Sequence, residues 1–243
     1  MDTYTLYAAQ FLPFNEHFGA KGHNACKGCG VALAVRQVYK ALEGSSATID
    51  NAQWQIPWQE KIIEKSAAIA AGTQPALLSI AKGSKENGSL YICFDNESTE
   101  GKVNAEILFK KLPAVASASG CDYTATACPS HPFDLIEKVR KAWDCTGSAF
   151  VHILCPCPVG WGFEAENTVK VGRKAVESHV FPLYEIAQGY YKITIEEPKP
   201  QTVAAYLKAQ NRFTGWNAKK IEALQEEVTE NLGVLKSKTQ KAV

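Results

Sequence analysis

Three short apolar runs, with a helical stripe between the last two, constrain the fold of this chain more than any other feature. Ser89 to Phe94, Tyr123 to Ala127 and Ala149 to Cys155 are each of strand length, and the first is closed off by Gly88 and by Asp95-Asn96. Between the second and third, Phe133, Ile136, Val139, Arg140 and Trp143 recur at helical spacing. Strand, helix and strand in that order predict a parallel sheet with helices on its faces, because parallel neighbours need a crossover long enough to hold a helix. In open sheets of this kind ligands sit beyond the carboxyl ends of the strands, so chemistry is expected where these runs end.

Residues 1 to 22 read as an irregular, aromatic-rich lead-in. Gly30 opens a helix with Val31, Val35, Val38 and Leu42 on one face, and Gly44 ends it. Pro57 and Trp58 begin a second helix through Ile62, Ile63, Ala67 and Ala70, which the pattern continues past Pro75 to Ala81. Further on come a helix around Val169 to Val180, a strand from Tyr190 to Ile195 and a helix from Val203 to Phe213. A last helix carries Ile221, Leu224, Val228, Leu232 and Leu235 as a narrow apolar stripe, suited to packing on the body of the chain or docking a partner. The organisation is thus a lead-in (1–22), an α/β domain (23–180) and a C-terminal extension with a terminal helix (181–243).

Charge and hydropathy exclude several classes. The chain has 243 residues, with 26 basic against 25 acidic side chains dispersed along it. A formal charge of +1 leaves no excess of cations to displace counterions from a nucleic-acid backbone, so no nucleic acid is expected. No apolar run reaches the ~20 residues that span a bilayer, and the N-terminus lacks the regions of a signal peptide. A cytoplasmic chain without membrane contact is expected, and its eight cysteines are then ligands or reduced core thiols rather than a disulfide framework.

Cys26-Lys-Gly-Cys29-Gly30 stands directly before a helix. Two thiolates three positions apart can hold one metal centre, the glycines let backbone approach inorganic sulfide, and the helix N-terminus offsets negative charge. The same spacing also serves half a zinc site or a redox dithiol. Cys155-Pro-Cys157-Pro158 ends the third apolar run. Cys157 is the better ligand candidate; Cys155 is either a fourth ligand or the last buried residue of the strand. Cys93, Cys121, Cys128 and Cys145 lie in or beside apolar runs and read as core thiols. His23 lines the site or the surface, His152 is a satisfied core histidine, and His131 and His179 sit at turns or helix ends. Asp95-Asn96-Glu97 offers hard oxygens at a strand's carboxyl end, as Mg²⁺ and a diphosphate require, although Asp-Asn is also a common turn.

Together these pieces resemble the β subunit of 2-oxoacid:ferredoxin oxidoreductases, the pyruvate synthase family. The matching stretches are Gly22-His-Asn-Ala-Cys-Lys-Gly-Cys-Gly30, Ile56-Pro-Trp58, Leu90-Tyr-Ile-Cys-Phe-Asp-Asn-Glu97, Pro156-Cys-Pro-Val-Gly-Trp-Gly-Phe163, Pro182-Leu-Tyr-Glu-Ile186 with Tyr191-Lys-Ile-Thr194, and Tyr206-Leu-Lys-Ala-Gln-Asn-Arg-Phe213. The resemblance implies a thiamine-diphosphate-type α/β fold, with a doubly wound, mostly parallel sheet, here shortened and carrying a C-terminal helical extension. It implies a [4Fe-4S] cluster held by Cys26, Cys29 and Cys157, and Mg²⁺ positions at Asn96 and the backbone of Ser98. It implies partner subunits that complete the active site, ferredoxin as electron partner, and oxidative decarboxylation of a 2-oxoacid to acyl-coenzyme A.

Departures from the family pattern fall at the chemistry. No Gly-Asp dipeptide occurs anywhere, so the Gly-Asp-Gly aspartate that binds Mg²⁺ is missing, and Ala67 to Ser89 is too short for the elements that hold it. The Thr-Gly-Cys expected between Ala47 and Gln55, source of another cluster ligand, is absent, and Glu100-Gly-Lys102 replaces Asn-Thr-Gly. Losing an anionic ligand leaves the cofactor's charge uncompensated, so a degenerate thiamine diphosphate site is expected. The readings are an iron-sulfur subunit of such a complex, a non-catalytic scaffold or electron-relay paralogue, and a structural zinc knot of Cys26, Cys29, Cys155 and Cys157.

Overall fold

The computed structural model describes residues 25–42, 76–81, 88–96 and 111–240. The lead-in, the helix expected from Pro57, His23 and Ser98 lie outside the described residues.

Helix α1 (Gly30–Leu42) is followed by strands β1 (Ala76–Ala81) and β2 (Ser89–Asp95), then α2 (Leu112–Ala118), β3 (Tyr123–Ala127), α3 (Pro132–Asp144) and β4 (Ala149–Leu154). After these come the one-turn α4 (Pro158–Trp161), α5 (Thr168–Glu177), β5 (Tyr184–Ala187), β6 (Tyr190–Ile193), α6 (Val203–Leu207) and the long α7 (Ala218–Gln240). The strands form one sheet in the order β1-β2-β4-β3-β5-β6. Its centre, β2-β4-β3, is parallel, with Asp95 beside Leu154 and Ala127 beside Ile153. β1 and β5 run against these three and β6 runs with them, so most strands share one direction in an α/β sheet of thiamine-diphosphate type.

The crossover from β3 to β4 forms as expected. Proline at the first turn starts α3, Asp134 sits at its positive end and Lys141 at its negative end. Leu135, Ile136, Val139 and Ala142 then face the sheet, where they meet Val31, Val35 and Val38 of α1 and Leu90, Ile92, Ala125, Val151 and Ile153 of the strands. Lys138 is buried in the same layer. Burial pushes its pKa down, while its ammonium donates to Thr126 O and to Asp134 Oδ2, each at 2.8 Å.

Strand alternation turns Cys93, Asp95, His152, Leu154, Thr124 and Thr126 to the opposite face. Leu154 joins a second core there with Trp161, Val171, Ala175, Phe181, Tyr206, Phe213, Leu224 and Val228. The terminal helix packs on the body of the chain through Leu224, Val228 and Leu235. No helix among the described residues is long and apolar enough to cross a membrane.

Several elements differ from the sequence reading, among them α2 (Leu112–Ala118), which it does not contain. Residues 76–81 form a strand antiparallel to β2, not the end of a helix; proline disfavours helix in the residue before it, and a short apolar run after it suits either state. β5 was not foreseen. It pairs with β3, and a two-residue loop with positive φ at Gln188 (50°) and Gly189 (83°) turns it into β6. The helix expected over Val203 to Phe213 stops at Leu207 and resumes only as a 3₁₀ turn at Asn211–Phe213. That break lets Asn211 N–H reach Gly162 O at 3.1 Å.

Candidate metal centre at the sheet's carboxyl edge

The Cys26 to Gly30 stretch closes as a turn in which Cys29 N–H donates to Cys26 O at 3.1 Å. Gly28 occupies its third position with φ +68°, which only glycine adopts without cost in a turn of this type. Thr168, at the start of α5, donates its hydroxyl to Gly28 O at 2.6 Å. Gly30 N–H donates to Pro156 O at 3.1 Å, so the turn is fastened directly to the backbone between Cys155 and Cys157. A Cβ on Gly28 would overlap the Ala165 backbone, and one on Gly30 would overlap the Cys155-Pro156 backbone. Both glycines are thus required by the approach of the chain's own backbone, a reason the sequence reading had assigned to inorganic sulfide.

The sulfurs of Cys29 and Cys157 stand alike, each at the start of a helix. Cys29 precedes α1 and accepts the backbone N–H groups of Val31 and Ala32; Cys157 caps α4 and accepts Gly160 N–H at 3.3 Å. Burial pushes both thiols above their ordinary pKa. The backbone N–H bonds work against that rise, and neighbouring thiols add to it: Cys26 acts on Cys29, and both Cys29 and Cys26 act on Cys157. Cys26 is exposed while Cys29 and Cys157 are half-buried. Two stretches 130 residues apart therefore bring three thiols to one side of the molecule.

Cys155 differs. It is fully buried in the layer under α1 and α3, and its thiol donates to Ile153 O at 3.4 Å. β4 ends at Leu154, so strand alternation does not carry through Pro156, and Cys157 packs instead against the second core. Among the described residues no three His, Cys, Asp or Glu side chains lie close enough to hold a single ion, the arrangement a zinc knot would need. Cys26, Cys29 and Cys157 lie near enough to act on one another electrostatically, and two of them face backbone N–H groups that favour thiolate.

Asp95 and Asn96 are buried at the end of β2. Asp95 Oδ2 lies 2.9 Å from His152 Nε2, and Asp95 O accepts Cys155 N–H at 2.6 Å. Asn96 O accepts the indole N–H of Trp161 at 2.5 Å. His152 is thus half satisfied, since its Nδ1 has no hydrogen-bond partner among the described residues. His131 and His179 stand at helix ends, as expected. Cys93 and Cys128 are buried, with Cys128 pushed up to about 11, whereas Cys121 and Cys145 are only half-buried.

Trp161 and Thr168 escaped the sequence reading. A tryptophan one turn after a candidate ligand was the available signal, because a buried indole N–H needs an acceptor.

No protein-family model matches the chain. Pyruvate synthase subunit PorB of Methanocaldococcus jannaschii is 30% identical over 293 aligned positions, covering 92% of this chain and 98% of the relative. Subunit PorB of Methanothermobacter marburgensis is 32% identical, covering 88% and 95%. Ketoisovalerate oxidoreductase subunit VorB of Pyrococcus furiosus is 29% identical, covering 93% and 94%. The first alignment has 293 positions against the 243 residues of this chain, so that relative carries internal segments without a counterpart here. Identity of this level, sustained over about nine-tenths of both partners, places the chain in the family of β subunits of 2-oxoacid:ferredoxin oxidoreductases.

Proposed function

We propose that this chain is the iron-sulfur subunit of a 2-oxoacid:ferredoxin oxidoreductase-type complex, in which a 2-oxoacid is decarboxylated oxidatively to acyl-coenzyme A and electrons leave to ferredoxin. The observation that carries the reading is the bond from Gly30 N–H to Pro156 O, which sets the Cys26 and Cys29 turn against the Cys157 turn. Cys26, Cys29 and Cys157 would hold a [4Fe-4S] cluster at three corners, and such a group supplies one-electron transfer when bound. The N–H groups of Val31, Ala32 and Gly160 stabilise thiolate at Cys29 and Cys157, and α1 directs its positive end at the same place. Cys155 belongs to the core rather than to this donor set.

The chain's own thiamine diphosphate site is degenerate in this reading. No Gly-Asp dipeptide is present, and the Asp95 carboxylate already faces His152. Partner subunits then complete the decarboxylation site, and this chain relays electrons. Anaerobic purification of the full complex, with iron and sulfide determined on this subunit, tests the proposal. Close to four of each per chain is expected by the chemistry of the cluster; a stoichiometry near zero removes the relay role.

A further inference from the structure

A carboxylate that serves a divalent cation presents its oxygens to an open position. At the end of β2 one carboxylate oxygen and two backbone carbonyls are taken up by the chain itself. Asp95 Oδ2 meets His152 Nε2 at 2.9 Å, Asp95 O takes Cys155 N–H at 2.6 Å and Asn96 O takes the Trp161 indole N–H at 2.5 Å. Those three partners lie at 152, 155 and 161, on both sides of Cys157. Cys157 itself caps a helix of 4 residues. A single turn does not hold itself in water, so its position is imposed from outside.

Trp161, the last residue of that turn, is where the hold is applied. It is fully buried, its backbone N–H donates to Cys157 O at 2.8 Å, and the Arg212 guanidinium lies 3.9 Å above its ring. Phe181 packs edge-on to the His152 imidazole at 5.2 Å and closes the other side of the pair.

We propose that the Asp95-Asn96 end of β2 is a latch that positions the Cys157 thiol, and that it no longer forms part of a cation and diphosphate site. The inference rests on reading Cys157 as a ligand. Asp95, His152 and Trp161 are positioning residues, and they act through the 155–161 backbone.

The test uses the full chain after chelation of metal. Alkylation of Cys157 by iodoacetamide is followed by peptide mass spectrometry with Cys26 as internal reference, and Mg²⁺-thiamine diphosphate binding to the complex is followed by calorimetry. Trp161→Phe keeps an aromatic ring in the pocket, at some loss of volume, and removes the N–H; it should accelerate Cys157 alkylation about fivefold to tenfold, the scale of one ordinary hydrogen bond, with Cys26 unchanged. Asp95→Asn changes no buried volume and addresses the same latch if Trp161→Phe does not fold. It should accelerate Cys157 alkylation several-fold and leave Mg²⁺-thiamine diphosphate binding as in the parent. Unchanged Cys157 reactivity in the folded variants overturns the latch, as does a tenfold loss of cofactor affinity in Asp95→Asn. A chain that binds no iron yet shows the accelerated alkylation loses the cluster and keeps the latch. A chain with full iron whose Cys157 ignores both substitutions does the opposite.

Discussion

The turn at Cys26 to Gly30 and the strand end at Asp95-Asn96 use their polar atoms in opposite ways. In the turn, backbone groups make the fastenings: Cys26 O, Gly28 O and Gly30 N–H are all engaged, while the sulfurs of Cys26 and Cys29 stay at the surface or half-buried. At the strand end the Asp95 side chain is itself a fastening, buried against His152. Thiols that only accept backbone N–H groups, as Cys29 and Cys157 do, keep further sulfur lone pairs for a ligand, whereas a carboxylate set against a buried imidazole, or a thiol that donates to its own strand as Cys155 does, is part of the scaffold. The same contrast separates Cys157 from Cys155, two residues apart.

The largest effect should come from the turn. Cys29→Ser removes a soft donor that oxygen does not replace, and the variant should lose its visible absorbance and its iron while the circular dichroism of the sheet is unchanged. Retained absorbance would place the turn on the scaffold side of the comparison. Next, Gly30→Ala drives a Cβ into the Cys155-Pro156 backbone and should cost about 2–3 kcal/mol in urea unfolding, as overpacking does, and lower iron retention by parting the two turns.

Glu185 gives a scale for a carboxylate committed to structure, as Asp95 is. Burial alone would push its pKa up, but Tyr123 OH at 2.8 Å and Lys141 Nζ at 3.1 Å prevail and hold it below the usual carboxylate range. The folded value therefore lies below the unfolded one, so its contribution is present above the unfolded pKa of about 4.3 and is lost as pH falls through the lower folded value. Glu185→Gln should cost about 1–2 kcal/mol at neutral pH and flatten the decline in stability below about pH 4, measured by chemical denaturation across pH. The smallest effect is expected from Cys155→Ala, about 1 kcal/mol for a small buried cavity, with iron content unchanged. Loss of iron in that variant would move Cys155 into the donor set and blur the contrast with Cys157.

The parallel centre of the sheet was legible because Ser89 to Asp95, Tyr123 to Ala127 and Ala149 to Leu154 are bounded apolar runs and α3 repeats cleanly between the last two. β1 was misread because five apolar residues and Ser79 after a proline carry no decisive period, and α2 was missed because Leu112–Ala118 is a short run dominated by small residues. Cys26, Cys29 and Cys157 were legible from spacing and from their place at element ends. The His152-Asp95 pair was not, since the register that sets Cys93 beside His152 depends on how β2 and β4 align, which neither strand encodes alone. Thr168 looked like an ordinary helix start and the hold on Trp161 depends on a break after Leu207, both set by tertiary packing.

The pairing of β5 with β3 bears on how the chain is made. β3 is buried at all five positions, carries no charge, and takes β4 on one side and β5 on the other. During translation Tyr123 leaves the ribosome long before its partner Ala187 exists, so one hydrogen-bonding edge of a central strand stands bare in the interval. A nascent or truncated chain ending before Pro182 would offer that edge to other copies of itself, which makes prompt completion of the hairpin a condition for a soluble yield.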